Sequence, residues 1–169
     1  MSLVLPQTKA SNQALNHTAI IQTYGLFMVA WSVIESVIQT AIMKQLGIDA
    51  TRAVVITGKM QFNPRVQLLC GLLKLEGDKY EEAIKLLNKT EGFAHRNVLV
   101  HGNIIVGMPG QLTFVKYDGG NSAKRSFTFD DMHKHVTALT DRTNKLQSLL
   151  DVSDADMQKI VDATLAMAT

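Results

Sequence analysis

The chain has 169 residues, of which 46% are hydrophobic and 19% charged, so it can bury the core of one domain and is not a disordered or highly charged tail protein. A formal net charge of +2 gives no overall field strong enough to indicate nucleic-acid binding, so any contact with RNA must be local. The single cysteine, Cys70, excludes an intramolecular disulfide framework, fits a reducing compartment and is expected to serve packing.

The N-terminal part combines a polar segment with a long apolar one. Residues 1–15 show no hydrophobic periodicity and predict a loose arm. A long first helix is predicted from about Asn16, because apolar residues recur there at alternating spacings of four and three. These residues are Ile20, Tyr24, Phe27, Trp31, Ile34, Ile38 and Ala41. Glu35 and Gln39 interrupt the stretch, so we interpret it as a buried helix that does not span a membrane, and we expect a cytoplasmic protein without a secretory signal.

Three further helices are predicted in the middle of the chain, each ending at a glycine. These glycines are Gly58, Gly77 and Gly102. The first helix of the three covers about Ala50 to Ile56, the second is capped by Asn63 with a proline in its first turn, and the third is capped by Asp78. The last one continues the four-three spacing through Tyr80, Ile84, Leu87, Ala94 and Val98 and tolerates Gly92, so we expect it to run to about His101.

After Gly102 the hydrophobic period changes from helical to alternating. Residues 112–117 alternate, the turn sequence Asp-Gly-Gly-Asn follows at 118–121, and a return strand is expected at 124–129. Residues 104–106 add a third short strand before a Pro-Gly turn. The sequence therefore predicts a small β-hairpin.

The C-terminal part predicts two more helices. Thr128 and Asp131 form a capping-box pattern for a fifth helix through Leu150, and Ser153 or Asp154 caps a sixth. The predicted fold is therefore all-α, a bundle of about five to six helices with a hairpin inserted after the fourth. Its predicted divisions are a loose arm at 1–15 and one helical domain at 16–169, with the hairpin insertion at about 104–129.

One segment of the fourth helix carries the best functional candidate. Arg96-Asn97-Val98-Leu99-Val100-His101 contains an arginine, a polar residue directly after it, and a histidine after four intervening residues. This segment resembles the motif of the HEPN superfamily, and the long first helix bearing Glu35 is similar to the family pattern as well. The resemblance spans about 16–150. It implies a HEPN-like bundle that cleaves RNA without metal or cofactor as a homodimer with a composite cleft. It also implies roles in defence, toxin systems or RNA turnover, with an antitoxin or regulatory protein as a further partner.

The chemistry of metal-free RNA cleavage calls for these residue types on independent grounds. A base must deprotonate the 2′-hydroxyl, an acid must protonate the leaving oxygen, and a cation must stabilise charge on the phosphate. His101 is suited to carry protons and Arg96 to bind phosphate, while Asn97 positions one or both. One histidine per chain supplies one proton carrier, so a two-fold dimer would supply the acid and the base.

Helix geometry complicates this assignment. In a straight helix, Asn97 and His101 share a face, whereas Arg96 and His101 point about 140° apart. We therefore expect a loosened last turn near Gly102, or a second chain, to complete the pairing. The helix C-terminus favours a protonated imidazole, which points to His101 as a proton donor or phosphate ligand more than as a base.

Each site residue also has a simpler interpretation. In that case Arg96 is an exposed helix residue, and His101 caps the C-terminus of its helix. Asn97 then bonds nearby backbone. Glu35 is either a partly solvated helix residue or a residue that pairs with Arg96 or orients His101.

The hairpin adds a basic group, and the remaining histidines suggest no metal site. Lys116, Lys124 and Arg125 are suited to bind an RNA backbone, although such charges on hairpin edges also prevent aggregation. His133 and His135 are two residues apart on a helix, which predicts a solvated face, and His95 is expected to pair with Glu91 at the surface. Rival functions are a non-catalytic HEPN-like module that binds RNA or nucleotide or mediates dimeric interaction, and a plain structural protein.

Overall fold

The computed structural model describes residues 9–105, 111–118 and 120–168, with side chains for 18–105, 111–117 and 120–168. Within these ranges the chain is mostly helical and has one small antiparallel sheet, which confirms the coarse prediction, although there are seven α-helices where five or six were expected. The helices are α1 Lys9–Leu46, α2 Ala50–Thr57, α3 Phe62–Leu75, α4 Glu81–Ala94, α5 Arg96–His101, α6 Phe129–Leu149 and α7 Asp154–Met167. The strands are β1 Asn103–Ile105, β2 Gln111–Asp118 and β3 Asn121–Thr128.

Backbone contacts divide the chain into two compact units. We call the described parts of Met1–Val29 and His95–Ala138 the sheet unit, and those of Ala30–Ala94 and Leu139–Thr169 the helical unit. The predicted domain 16–169 thus comprises two compact units, and the candidate motif belongs to the sheet unit.

Helix α1 begins at Lys9, seven residues before the predicted start at Asn16. The prediction of a loose arm is therefore wrong for its second half, while residues 1–8 lie outside the described ranges. The segment contains neither glycine nor proline and includes Ala10 and Ala14, so extending an established helix through it is favourable.

The apolar face predicted for α1 is confirmed, with Tyr24 half-buried and the other six predicted residues buried. The stretch Thr18–Leu46 is also long and apolar enough to cross a membrane, with a mean hydropathy of 1.7 in its most apolar window, half of which is buried within the structure. The core helix of a soluble protein meets the same criteria of length and composition.

The helical unit follows the predicted elements with small shifts at the helix starts. Helix α2 matches its prediction, and Asp49 caps it by accepting a hydrogen bond from the Arg52 amide at 2.9 Å. Helix α3 begins before Asn63, so Asn63 is not its cap. Asp78 lies inside a 3-10 turn at Gly77–Tyr80, and α4 starts only after that turn.

The core of the helical unit is built from facing apolar residues. Met43, Ala53, Val54 and Ile160 form a buried cluster that joins α1, α2 and α7. Cys70 is also buried, and its burial raises the pKa of the thiol, which favours the neutral form expected of a packing residue.

The helix predicted to run unbroken to His101 is interrupted at His95. This residue has φ 48° and ψ 26°, the left-handed conformation that an α-helix cannot continue. Its carbonyl oxygen accepts hydrogen bonds from the amides of Val98 and Leu99, both at 3.0 Å, and so starts α5. Helix α5 is consequently a separate six-residue helix with Arg96 first and His101 last.

The sheet has the order β1-β2-β3, with both pairs antiparallel. Strands β2 and β3 pair from Gln111 with Thr128 to Asp118 with Asn121, which confirms the predicted hairpin. The return strand begins three residues before the predicted 124, and Phe129 belongs to α6. The third short strand is confirmed as β1, whereas the Pro-Gly turn predicted within 106–110 lies outside the described residues.

Both C-terminal helix starts were predicted from side-chain caps, and both caps are present. At the start of α6 the Asp131 carboxylate accepts from the amide of Thr128 at 3.2 Å, and the Asp131 amide donates to the Thr128 hydroxyl at 3.2 Å. The hydroxyl of Ser153 caps α7 by accepting from the Asp156 amide at 3.1 Å. These reciprocal bonds satisfy amides that the helices themselves leave unpaired.

Candidate functional site

The side chains of the first and last residues of α5 contact each other within one chain. Arg96 Nη1 lies 2.7 Å from His101 Nε2. The rise from the first to the last residue of this short helix is about 7.5 Å, which the long arginine side chain spans along the helix surface. The expected angular separation therefore does not prevent the pairing, and neither a loosened turn nor a second chain is required for it.

The chemistry of this contact fixes which group donates. A guanidinium has only N–H donors and remains charged, so Nε2 of His101 must be the acceptor. An imidazole that accepts a hydrogen bond at Nε2 carries its proton on Nδ1. The protonated form expected at the helix C-terminus remains a prediction.

Asn97 binds the hairpin. Lys116 Nζ on β2 donates to Asn97 Oδ1 at 2.8 Å. This contact joins Asn97 to a residue nineteen positions away along the chain. The expected roles of Asn97, orienting His101 or bonding nearby backbone, remain predictions. The bond brings the ammonium of Lys116 to the same helix that carries Arg96 and His101.

The strand register divides the predicted basic group. Lys116 pairs with Ala123, and Lys124 and Arg125 follow on β3. Because successive side chains on a strand point to opposite faces, Lys116 and Arg125 share one face of the sheet and Lys124 lies on the other. Two of the three predicted RNA-binding residues therefore stay together.

Helix α5 is anchored through its backbone and its one buried side chain. Leu99 is fully buried, and the hydroxyl of Tyr24 donates to its carbonyl oxygen at 2.8 Å. Burial raises the pKa of Tyr24, which keeps the phenol protonated and able to donate. The Tyr24 ring also contacts the ring of Phe114 on β2, with centroids 5.2 Å apart. The position of α5 thus depends on residues from α1 and the sheet.

Gly102 allows the end of α5 to lie against β2. A Cβ atom at this position would clash with the Val98 carbonyl oxygen and would lie 3.3 Å from that of Val115. Both obstacles are backbone atoms, so a larger residue requires the helix end or the strand to move. The absence of a side chain at Gly102 therefore helps to position His101, which directly precedes it.

A histidine and aromatic cluster lies beside α5 and was missed by the sequence analysis. The half-buried ring of His95 stacks on that of His135 with centroids 5.7 Å apart, and His135 in turn stacks on Phe27 and contacts Phe127. Burial and the charges of Arg125 and His135 lower the pKa of His95. The predictions that His95 lies at the surface and that His135 lies on a solvated face are both wrong. Spacing along a helix does not reveal aromatic contacts between segments that are distant in sequence.

Glu35 belongs to the helical unit and is half-buried. Its Oε1 accepts a hydrogen bond from Trp31 Nε1 at 2.9 Å, one turn earlier on α1. Its participation with Arg96 or His101 remains a prediction. No three His, Cys, Asp or Glu side chains among those described are placed to hold a metal ion together.

Comparisons with protein-family models, curated proteins and solved structures gave no match to this chain.

Proposed function

We propose that the protein is a metal-independent endoribonuclease of HEPN-like character, acting as a homodimer through Arg96, Asn97 and His101. The observation that carries the proposal is the hydrogen bond between Arg96 Nη1 and His101 Nε2 at 2.7 Å, in a position where His101 is exposed. The contact sets a permanent cation beside an imidazole that can carry protons, within reach of solvent, which suits cleavage at a phosphodiester.

The proposed reaction begins when an RNA phosphate takes over the guanidinium of Arg96. The bidentate attraction of guanidinium for phosphate oxygens releases Nε2 of His101, which then accepts the proton of the adjacent 2′-hydroxyl. The 2′-oxygen attacks phosphorus and the bond to the 5′-oxygen breaks, which leaves a 2′,3′-cyclic phosphate and a 5′-hydroxyl. His101 of a second copy, in its protonated form, supplies the proton to the leaving oxygen.

Neighbouring cations support a nucleic-acid substrate. Lys116 reaches Asn97 on α5, and Arg125 shares the sheet face of Lys116. Together with Arg96 they give three basic side chains that can neutralise successive phosphates, a contact that positions the chain without reading its bases.

The proposed dimer is supported by the exposed apolar residues of the sheet unit. Ile21, Leu26 and Val29 on α1 are 52%, 55% and 61% exposed, and Ile104 and Ile105 on β1 are 45% and 50% exposed. Each of these side chains is a candidate for the dimer contact, because large exposed apolar patches are typical of interaction sites. We propose a cytoplasmic setting and an antitoxin or another regulatory partner along with the dimer. Sizing by light scattering tests the oligomer, and a strict monomer would rule out the composite mechanism.

The test of the activity is RNA cleavage in the presence of a chelator, with the product ends mapped. Wild type should produce cyclic-phosphate ends, and His101→Ala and Arg96→Ala should each reduce the rate by about a hundredfold or more, the usual effect of losing a proton carrier or a charge stabiliser. The matched control is His133→Ala, because His133 is an exposed histidine of the same unit outside the site. Equal cleavage by wild type and His101→Ala would refute the assignment.

The second candidate function is an RNA- or nucleotide-binding module without catalysis. The observation that favours it is the contact of Arg96 with Nε2 of His101, which occupies the proton-accepting nitrogen. The basic side chains around α5 are then the groups that bind RNA. This function predicts RNA binding that weakens in Arg96→Ala and Lys116→Ala, with no cleaved product in the assay above. Absence of both cleavage and binding would favour a structural role.

A further inference from the structure

Strand β3 is an edge strand of the small sheet. In the order β1-β2-β3 it pairs with β2 on one side, and within the described part of the chain no strand pairs with its other side. Alternate residues of an edge strand direct their N–H and C=O groups away from the sheet, where an added strand can bond them. Residues 121–126 are exposed without interruption, so this outer edge is open to a partner.

The middle of this edge carries two adjacent cations, Lys124 and Arg125. Both are exposed, and neither forms a side-chain hydrogen bond or an ion pair with another described residue. Lys116 on β2 differs from them, because it is bonded to Asn97. The strand itself contains no aspartate or glutamate. Since successive side chains of a strand alternate between its faces, the two cations lie on opposite faces and make the edge basic on both.

A second copy of β3 is a poor occupant of this edge. If two β3 strands paired antiparallel along their full length, Lys124 of each copy would lie directly opposite Arg125 of the other. Like charges in opposite positions destabilise a strand pair, which is how basic residues on an edge prevent self-association. Opposite charges in these positions stabilise the pair instead. The edge therefore disfavours its own copy and favours an acidic strand.

We propose that the outer edge of β3 binds an extended acidic segment of a partner protein, which adds a strand to the sheet. The backbone of the segment bonds the outward N–H and C=O groups of β3, and two adjacent acidic side chains lie opposite Lys124 and Arg125, one on each face. The main-chain bonds supply affinity and the charges supply selectivity. The further identification of this segment with the regulatory partner rests on the proposed function, because Arg125 belongs to the proposed RNA surface.

The test is a titration of the full chain with the peptide acetyl-TVTEETVT-amide, followed by amide NMR and hydrogen exchange. Threonine and valine favour an extended strand, and the two glutamates supply adjacent charges. We expect saturable amide shifts along residues 121–128 at about millimolar concentration or below. Hydrogen exchange should slow at alternate residues of β3, because their amides become bonded to the peptide. Added salt should weaken the binding, since exposed charges are screened.

Two altered peptides separate the contribution of charge from that of backbone pairing. Glutamine in place of both glutamates removes the charges and should weaken binding by about threefold or more. N-methylation of both glutamates keeps the charges but removes an N–H donor from each edge of the peptide, and it should weaken binding by about tenfold or more. Equal binding by the methylated and unmethylated peptides would show that no strand is added and would overturn the proposal.

Variants of the protein test the two cations. Lys124→Gln and Arg125→Gln should each weaken binding of the peptide by about threefold, because each loses one charge pair. The matched control is Lys134→Gln, which removes an exposed lysine of α6 in the same unit and should bind the peptide as wild type does. Thermal unfolding shows whether each variant is folded, and the titration of wild type tests the edge without any substitution.

Three further outcomes would overturn the proposal. The first is the absence of shifts in β3 of wild type. The second is slow exchange at the outer amides of β3 that depends on protein concentration without peptide, which would assign the edge to a second copy. The third is the same slowing caused by an oligouridylate in place of the peptide, which would assign the edge to nucleic acid. Since the peptide titration contains no RNA, its outcome is independent of the ribonuclease assay.

Discussion

The helical unit and the sheet unit are built on different kinds of contact. In the helical unit, apolar residues at helical spacing are buried, and a cap such as Asp49 bonds within its own helix. In the sheet unit, the short helix α5 is held by residues distant in sequence, among them Tyr24 and Lys116. Hydrophobic spacing along the helices therefore describes the core of the first unit well, whereas the candidate site in the second depends on tertiary contacts.

The largest effect is expected from removing a buried ring of the sheet unit. Phe114 is fully buried and contacts the rings of Tyr24 and Phe127. Phe114→Ala should lower the free energy of unfolding by about 3–5 kcal/mol, as measured by urea denaturation. Tyr117→Ala on the same strand, where the side chain is 74% exposed, should cost far less. Equal losses would show that the rings do not form a core.

A smaller loss of stability is expected from a substitution that forces the end of α5 away from the sheet. Gly102→Ala places a Cβ against the carbonyl oxygens of Val98 and Val115 and should cost about 1–3 kcal/mol of unfolding free energy. The matched control is Gly92→Ala in α4, where a Cβ meets nothing within 4 Å and should stabilise the helix by about 0.5–1 kcal/mol. If urea denaturation showed Gly102→Ala to be as stable as wild type, the close approach would not constrain α5.

Because Lys116 and Lys124 lie on opposite faces of the sheet, we expect their substitution to affect the salt dependence of RNA binding differently. Lys116→Gln should reduce the slope of log affinity against log salt by about one, because one phosphate contact is lost. Lys124→Gln should leave the slope unchanged, since this side chain lies on the opposite face of the sheet. Fluorescence anisotropy with a short RNA over a range of salt measures both slopes. Equal decreases in the two variants would argue against a one-sided RNA surface.

The smallest effect concerns pH. Burial, Arg125 and His135 lower the pKa of His95 from its ordinary 6.5, so the unfolded chain binds this proton at a higher pH than the folded chain. The stability gained from neutral His95 is thus complete above about pH 6.5 and is lost as the pH falls through the folded-state pKa.

Urea midpoints at about pH 7.5 and 5 measure this loss. Wild type should lose more stability than His95→Asn, because asparagine tolerates the left-handed backbone but does not titrate. His133→Asn, at an exposed histidine, should behave as wild type. Identical losses in wild type and His95→Asn would exclude a role for His95.

Features encoded within a few residues were predictable. The pairing of Asp118 with Asn121, the capping pair Thr128 and Asp131, and the cap Ser153 all agree with the sequence-based expectation. Each depends on bonds between residues at most three apart, so spacing and residue type suffice to identify them.

The site was predictable in its residue types and only partly in its arrangement. Arg96 and His101 do meet, but the break at His95 was not foreseen, because a histidine in the left-handed region has no sequence signature comparable to glycine. The bond of Asn97 to Lys116 joins a helix to a strand, and helical periodicity does not reveal such pairs. Sequence identified the participants, and tertiary contacts determined their geometry.

The most direct test of the central claim is nitrogen NMR of the His101 ring at about pH 8, with inorganic phosphate added stepwise. We expect a ring that carries its proton on Nδ1 while Nε2 accepts from Arg96, and we expect that hydrogen bond to be lost as phosphate binds Arg96. A ring protonated on Nε2 at the start would contradict the proposed site. An Nε2 signal that is the same with and without phosphate, and the same in Arg96→Ala, would also contradict it.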